Sequence, residues 1–131
     1  MRLVIYGAGA IGGVLGARLI QYGSDVTFVA RGENYDALAA HGLRFQVGEE
    51  ETTLAVSVVR DASALDLSPE DIVILTVKSN DTRDVIDDLA RLAPPDIAVV
   101  CAQNGVENER VALRKFGFAT ALHKGSEESA L

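Results

Sequence analysis

The amino-acid sequence predicts an α/β fold, a doubly wound and mostly parallel sheet with a β-hairpin inserted after the second helix. Three observations predict it. Short apolar runs of strand character alternate with stretches whose apolar residues recur at helical spacing. Two of those runs, at 72–77 and 97–101, are almost continuously apolar, as strands covered on both faces are. A glycine-rich turn, GAGAIG, joins the first such run to the first helical stretch.

Taken in order, residues 3–6 (LVIY) make a short apolar strand. Over 10–22, Ile11, Val14, Leu15, Leu19 and Tyr22 follow helical spacing, and Gly23 supplies the stop. DVTFVA at 25–30 is β-branched and aromatic, a second strand. A short helix over 33–41 ends at Gly42. LRFQV at 43–47 alternates apolar and polar, as a strand with one wet face does. The Gly48-Glu49-Glu50 turn then brings back a partner strand over 52–58. Ser68-Pro69 punctuates before the strand at 71–77. Ser79, Asn80 and Asp81 offer caps for a helix whose stripe is Val85, Ile86, Leu89 and Leu92, and Pro94-Pro95 ends it. A strand at 97–101 and a helix over 106–116, closed by Gly117, complete the alternation. Strands alternating with helices imply βαβ crossovers, which makes the sheet Rossmann-type. The domain is expected to occupy 1–117, with 118–131 as a divergent tail.

Composition narrows the function. The chain has 131 residues, 48% hydrophobic and 24% charged, which suits one soluble domain with a real core. A formal net charge of −7 argues against a broad surface for nucleic acid or an anionic membrane. Any anionic ligand must therefore be held locally. No apolar run approaches the roughly 20 residues of a membrane span, and no signal-peptide pattern follows Met1. The single cysteine, Cys101, forms no internal disulfide, which suits a cytoplasmic protein, and within its apolar strand it reads as core filler. His41 reads as a helix C-terminal residue and His123 as a tail residue, and no metal-ligand spacing appears.

The glycine turn matches G-x-G-x-x-G in the context that gives the pattern meaning: strand before, helix after, second strand beyond. Gly7 permits a sharp turn, Gly9 lets the backbone approach a pyrophosphate, and Gly12 lets helix and strand pack closely. The helix start adds free amides and a partial positive charge. Gly7, Ala8, Gly9, Ala10, Ile11 and Gly12 are thus the candidate cofactor-binding loop. Close packing against the sheet accounts for Gly13 and Gly16. At the end of the second strand, where NAD-binding sheets carry an acid, stand Ala30 and Arg31. The planar fork of Arg31 suits a ribose 2′-phosphate and favours NADP(H), while Glu33 two residues on keeps NAD open. Lys78 follows an apolar run at the carboxyl end of its strand, where ligands of open α/β sheets sit. Gln103-Asn104-Gly105 joins amides able to bond a carbonyl to a tight-turn residue. By residue type alone, a solvated turn arginine, a surface lysine and an ordinary loop are the competing readings.

GAGAIGGVLGARL, Arg31, the hairpin after Gly42, TVKSNDT and AQNGVENE together resemble the ketopantoate reductase (2-dehydropantoate 2-reductase) family. The resemblance implies NADPH-dependent reduction of ketopantoate, a small 2-keto acid, to pantoate, a step toward pantothenate and coenzyme A. It implies that the loop and Arg31 hold the cofactor, that Lys78 lies beside it, and that Asn104 sits where nicotinamide and substrate meet. Lys78 and Asn104 are accordingly the candidate catalytic residues and further cofactor contacts. Family members continue into a helical second domain that supplies a protonating lysine and a substrate-binding carboxylate. After Phe116 this sequence reads GFATALHKGSEESAL, and the expectation is that the second domain is absent, leaving surface free for association. Two other readings stand beside the reductase: an NADP-binding module or remnant without chemistry, and a reductase of another 2-keto acid or opine.

Overall fold

The computed structural model describes residues 1–77, 81–102 and 118–121. Among them, β1 (Arg2–Tyr6), α1 (Ala10–Gln21), β2 (Asp25–Val29) and α2 (Gly32–His41) come first. The pair β3 (Leu43–Val47) and β4 (Glu50–Leu54) follows, then β5 (Ser57–Val59) and a single 3-10 turn at Ala62–Ala64. β6 (Ile72–Leu75), α3 (Thr82–Leu92), β7 (Ala98–Cys101) and β8 (Phe118–Ala121) complete the order. Six strands form one sheet, β5-β2-β1-β6-β7-β8, with every pairing parallel. β3 and β4 pair antiparallel as a separate hairpin. The doubly wound α/β architecture expected from the sequence is the one the chain adopts.

Side chains alternate across a strand, so each strand feeds both faces of the sheet. Val4 and Tyr6 of β1 join Val73, Leu75, Val99 and Cys101 beneath Val85, Ile86 and Leu89 of α3. Leu3 and Ile5 point the other way, with Val26, Phe28 and Ile74, against Ala17 of α1, Leu38 of α2 and Leu43 of the hairpin. The chain moves from β1 to β2 in one direction and from β6 to β7 in the other. Right-handed crossovers then put α1 and α3 on opposite faces. The reversal falls between β1 and β6, the switch point at which sheets of this kind hold ligands.

The strand expected over 52–58 is in fact two. β4 closes the hairpin at Leu54, and after Ala55 and Val56 the chain joins the large sheet as β5, parallel to β2. The sheet also extends past the expected boundary at 117, because Phe118–Ala121 pairs with Ala98–Cys101 as β8. Of the three offered caps, Asp81 takes the N-cap position of α3 without bonding through its side chain. Ser79, Asn80 and the helix expected over 106–116 lie outside the described residues. No helix among the described residues is long and apolar enough to cross a membrane.

Candidate functional site

The site is built where β1 and β6 end side by side, with Tyr6 paired to Leu75. Gly7 turns the chain here at φ +110°, a left-handed value that glycine accepts and other residues resist. Its N–H still donates to the Val29 carbonyl at 3.0 Å, so the turn stays tied to β2. Thr76, just past β6, holds it from the other side. The Thr76 hydroxyl donates to the Gly7 carbonyl at 2.6 Å, and its N–H donates to the Tyr6 carbonyl at 3.0 Å.

Gly12 returns against the same carbonyl. A Cβ on Gly12 would collide with the Gly7 oxygen and stand 2.6 Å from Thr76 Oγ1, so α1 can sit this close only without a side chain there. Gly9 has the opposite surroundings. Its φ is −75°, and none of the described residues comes within 4 Å of where its Cβ would be. Gly9 is the N-cap of α1, which has no capping side chain and no acidic residue in its first turn. The first amides of a helix lack intrahelical acceptors and form its positive pole. Neither a capping side chain nor an acidic residue of its own first turn offsets that pole.

A cleft of about 300 Å³ opens beside this turn. Tyr6, Gly7 and Ala8 line it at the end of β1, Arg31 and Asn34 at the start of α2, and Asp81 and Asp84 at the start of α3. Arg31 is the N-cap of α2 and is exposed, and its guanidinium reaches across to α3, where Nη2 lies 3.9 Å from Asp88 Oδ2. The other carboxylate oxygen of Asp88 pairs with Arg91. Tyr6 is buried. Burial pushes its phenol up, the neighbouring Arg31 guanidinium pulls it down, and the balance lies above the ordinary value. Its hydroxyl therefore stays protonated at neutral pH.

Of the residues singled out from the sequence, Gly7, Ala8 and Arg31 line the cleft. Gly9, Ala10, Ile11 and Gly12 form the adjoining N-cap and first turn of α1, with Gly12 buried and Ile11 exposed. Lys78 and Asn104 lie outside the described residues. Sequence reasoning missed Tyr6, Asn34, Thr76 and Asp88. Asn34 carried a signal, since it stands three residues past Arg31 and a helix puts such pairs on one face. Thr76 carried a weaker one, as the hydroxyl near the end of an apolar run.

A family model described as ketopantoate reductase PanE/ApbA matches residues 3–125. Among curated proteins, the 2-dehydropantoate 2-reductase of Mesorhizobium japonicum is 39% identical over 107 residues, 81% of this chain and 32% of that protein. Among solved structures, a PanE/ApbA family ketopantoate reductase from Ralstonia eutropha JMP134 superposes with a TM-score of 0.82 at 30% identity. The likeness covers 92% of this chain and 40% of that one. D-Mandelate dehydrogenase, solved in a ternary structure with NADH and anilino(oxo)acetate, gives a TM-score of 0.80 at 25% identity over 92% of this chain and 40% of its own. The chain spans about a third of the length of the curated relatives it matches.

Proposed function

The chain belongs to the ketopantoate reductase PanE/ApbA family, and from that premise we propose that it forms the dinucleotide-holding part of an NADPH-dependent reductase of 2-dehydropantoate. The observation that carries this reading is the turn at 7–12. Among the described residues, Gly9 leaves room for an anion at the positive end of α1, and the Gly7–Gly12–Thr76 contacts fix that end in place. A pyrophosphate fits this chemistry: many acceptor oxygens, amide donors, and no nearby side chain on Gly9 to exclude it. Arg31 is the candidate partner of the 2′-phosphate, because a planar guanidinium donates in parallel to phosphate oxygens.

NADPH, when bound, would supply the hydride to the carbon of a 2-oxo group, and the oxygen would take a proton from an acid or from water to complete the alcohol. The chain's own groups bind, orient and stabilise. Lys78 and Asn104 each stand three residues beyond Leu75 and Cys101, which are register partners on adjacent strands. An ammonium and a carboxamide following those strand ends would donate to the substrate oxygen as charge develops on it. Binding and turnover are separable properties of the 131 residues, and each has its own test.

Fluorescence titration with NADPH and NADH tests the cofactor. NADPH is expected to bind about tenfold tighter or more, and Arg31→Ala is expected to remove most of that preference, as loss of a charge-assisted bond does. Equal affinities would overturn the role of Arg31, and binding of neither would overturn the cofactor reading. NADPH oxidation on adding 2-dehydropantoate tests the substrate. Binding without any substrate-dependent rate at high protein concentration would select the non-catalytic module instead. A reductase of another 2-keto acid is favoured by the likeness to D-mandelate dehydrogenase, and the same assay over a panel of 2-keto acids separates the two.

A further inference from the structure

We propose that Asp88 moderates the preference for NADPH by competing with a ribose 2′-phosphate for the Arg31 guanidinium, a proposal that rests on the reading of Arg31 given above. Arg31 projects from the end of β2, and its Nη2 lies 3.9 Å from Asp88 Oδ2 on the facing helix α3. Asp88 Oδ1 pairs with Arg91, three residues further along α3. One carboxylate therefore bridges two guanidinium groups. A phosphate arriving at Arg31 meets a guanidinium whose charge already faces an anion, and it brings its own negative charge toward that carboxylate. NADH has no 2′-phosphate and meets neither obstacle, so the carboxylate weighs on one cofactor and not the other.

Arg91 makes the competition reversible. When Arg31 turns to a phosphate, Asp88 keeps a cationic partner and is not left with bare charge. The Arg31 side chain is 71% exposed and that of Asp88 33%, so the contact between them is screened and weak. A weak contact can be exchanged for a phosphate, where a buried pair would resist. Asp84 lines the cleft one turn earlier on the same helix, and the buried Tyr6 lies beneath Arg31. Asp88 differs from both in bridging Arg31 to a second cation.

The test is a titration of the 131-residue chain with NADPH and with NADH in signed variants. Asp88→Asn is expected to tighten NADPH about three- to fivefold and to leave NADH within about twofold. Arg91→Gln concentrates Asp88 on Arg31, so it is expected to weaken NADPH by a similar factor, an effect that vanishes in the Asp88→Asn background. Asp88→Asn weakening NADPH, or shifting both cofactors equally, overturns the proposal. So does an Asp88→Asn effect that persists at full size once Arg31 is alanine. Arg31→Ala separates this idea from the reading beneath it. If that variant binds NADPH as wild type does, the 2′-phosphate reading fails. If it weakens NADPH while Asp88→Asn changes nothing, only the competition fails.

Discussion

Gly9 and Gly12 are the same residue type, three positions apart, and their surroundings give them opposite roles. At Gly12 the obstacles to a methyl are a backbone carbonyl and a hydroxyl already engaged with it, neither of which can move aside. Gly12→Ala is therefore expected to lower stability by about 1–3 kcal/mol, as overpacking does, visible as an earlier thermal melt. At Gly9 none of the described residues stands in the way and φ is ordinary. Gly9→Ala gives up only an N-cap preference, about 0.5 kcal/mol, yet it puts a methyl where the pyrophosphate would approach. NADPH affinity should fall about tenfold or more, as when a ligand is forced off well-placed donors. Melts and titrations on both variants check the pair, and a Gly9→Ala protein that binds like wild type would remove the loop from the cofactor reading. Gly16 belongs with Gly12, since a Cβ there would press on the Phe28 ring and Ile5, the close packing that its place in the first turns of a helix suggested. A Cβ on Gly13 would meet only Leu43 of the hairpin, at an ordinary 3.6 Å, so close packing on the sheet does not require glycine there.

Elements that lie over one partner surface were legible in the sequence, and those defined by a choice of partner were not. The α3 stripe is the clear case, because Val85, Ile86 and Leu89 repeat at helical spacing and are all buried against one sheet face. Leu89 is fully buried, whereas Leu92 at the end of the same stripe is 39% exposed. Leu89→Ala should cost about 2–5 kcal/mol and Leu92→Ala under about 1 kcal/mol in urea unfolding, the difference following burial and cavity formation. The break between β4 and β5 was hidden for a physical reason. Thr52, Leu54, Val56 and Val58 are half-buried and Glu51, Thr53, Ala55 and Ser57 exposed, so the alternation runs unbroken through the junction. Periodicity encodes which face a residue takes, and says nothing of which strand lies alongside. Thr76 was obscure for a related reason: its value lies in a carbonyl 69 residues away. β8 is a four-residue FATA segment whose place depends on β7, and local pattern carries little of that.

Across the whole molecule, β1 and β6 are joined at both ends, and the end remote from the cleft holds an ion pair from which an acid response is expected. There Arg2 Nη2 donates to Asp71 Oδ2 at 2.8 Å, and the Ser68 N–H donates to the same oxygen at 3.0 Å. Burial pushes the Asp71 carboxyl up, but the Arg2 and Ser68 bonds together outweigh it and hold it below its ordinary value of 3.8. The unfolded chain then binds this proton more readily than the folded one. Its contribution to stability is complete above about pH 4 and is lost as the pH falls through the lower folded value. The net charge of −7 acts in the opposite sense, because partial protonation from pH 7 toward 5 relieves self-repulsion. The urea midpoint should hold or rise over that range and fall steeply below pH 4. Asp71→Asn leaves Arg2 facing a poorer acceptor, and since the Arg2 side chain is 26% exposed, the loss at pH 7 should be about 2–3 kcal/mol, below that of a fully buried pair. The variant should also show a shallower acid limb. Its affinity for NADPH at pH 7 should stay within about twofold of wild type, because the ion pair lies at the opposite end of β1 and β6 from the cleft. An unchanged acid limb would show that another carboxylate controls acid unfolding. Weaker NADPH binding by the folded variant would mean that the two ends of β1 and β6 are coupled through the sheet.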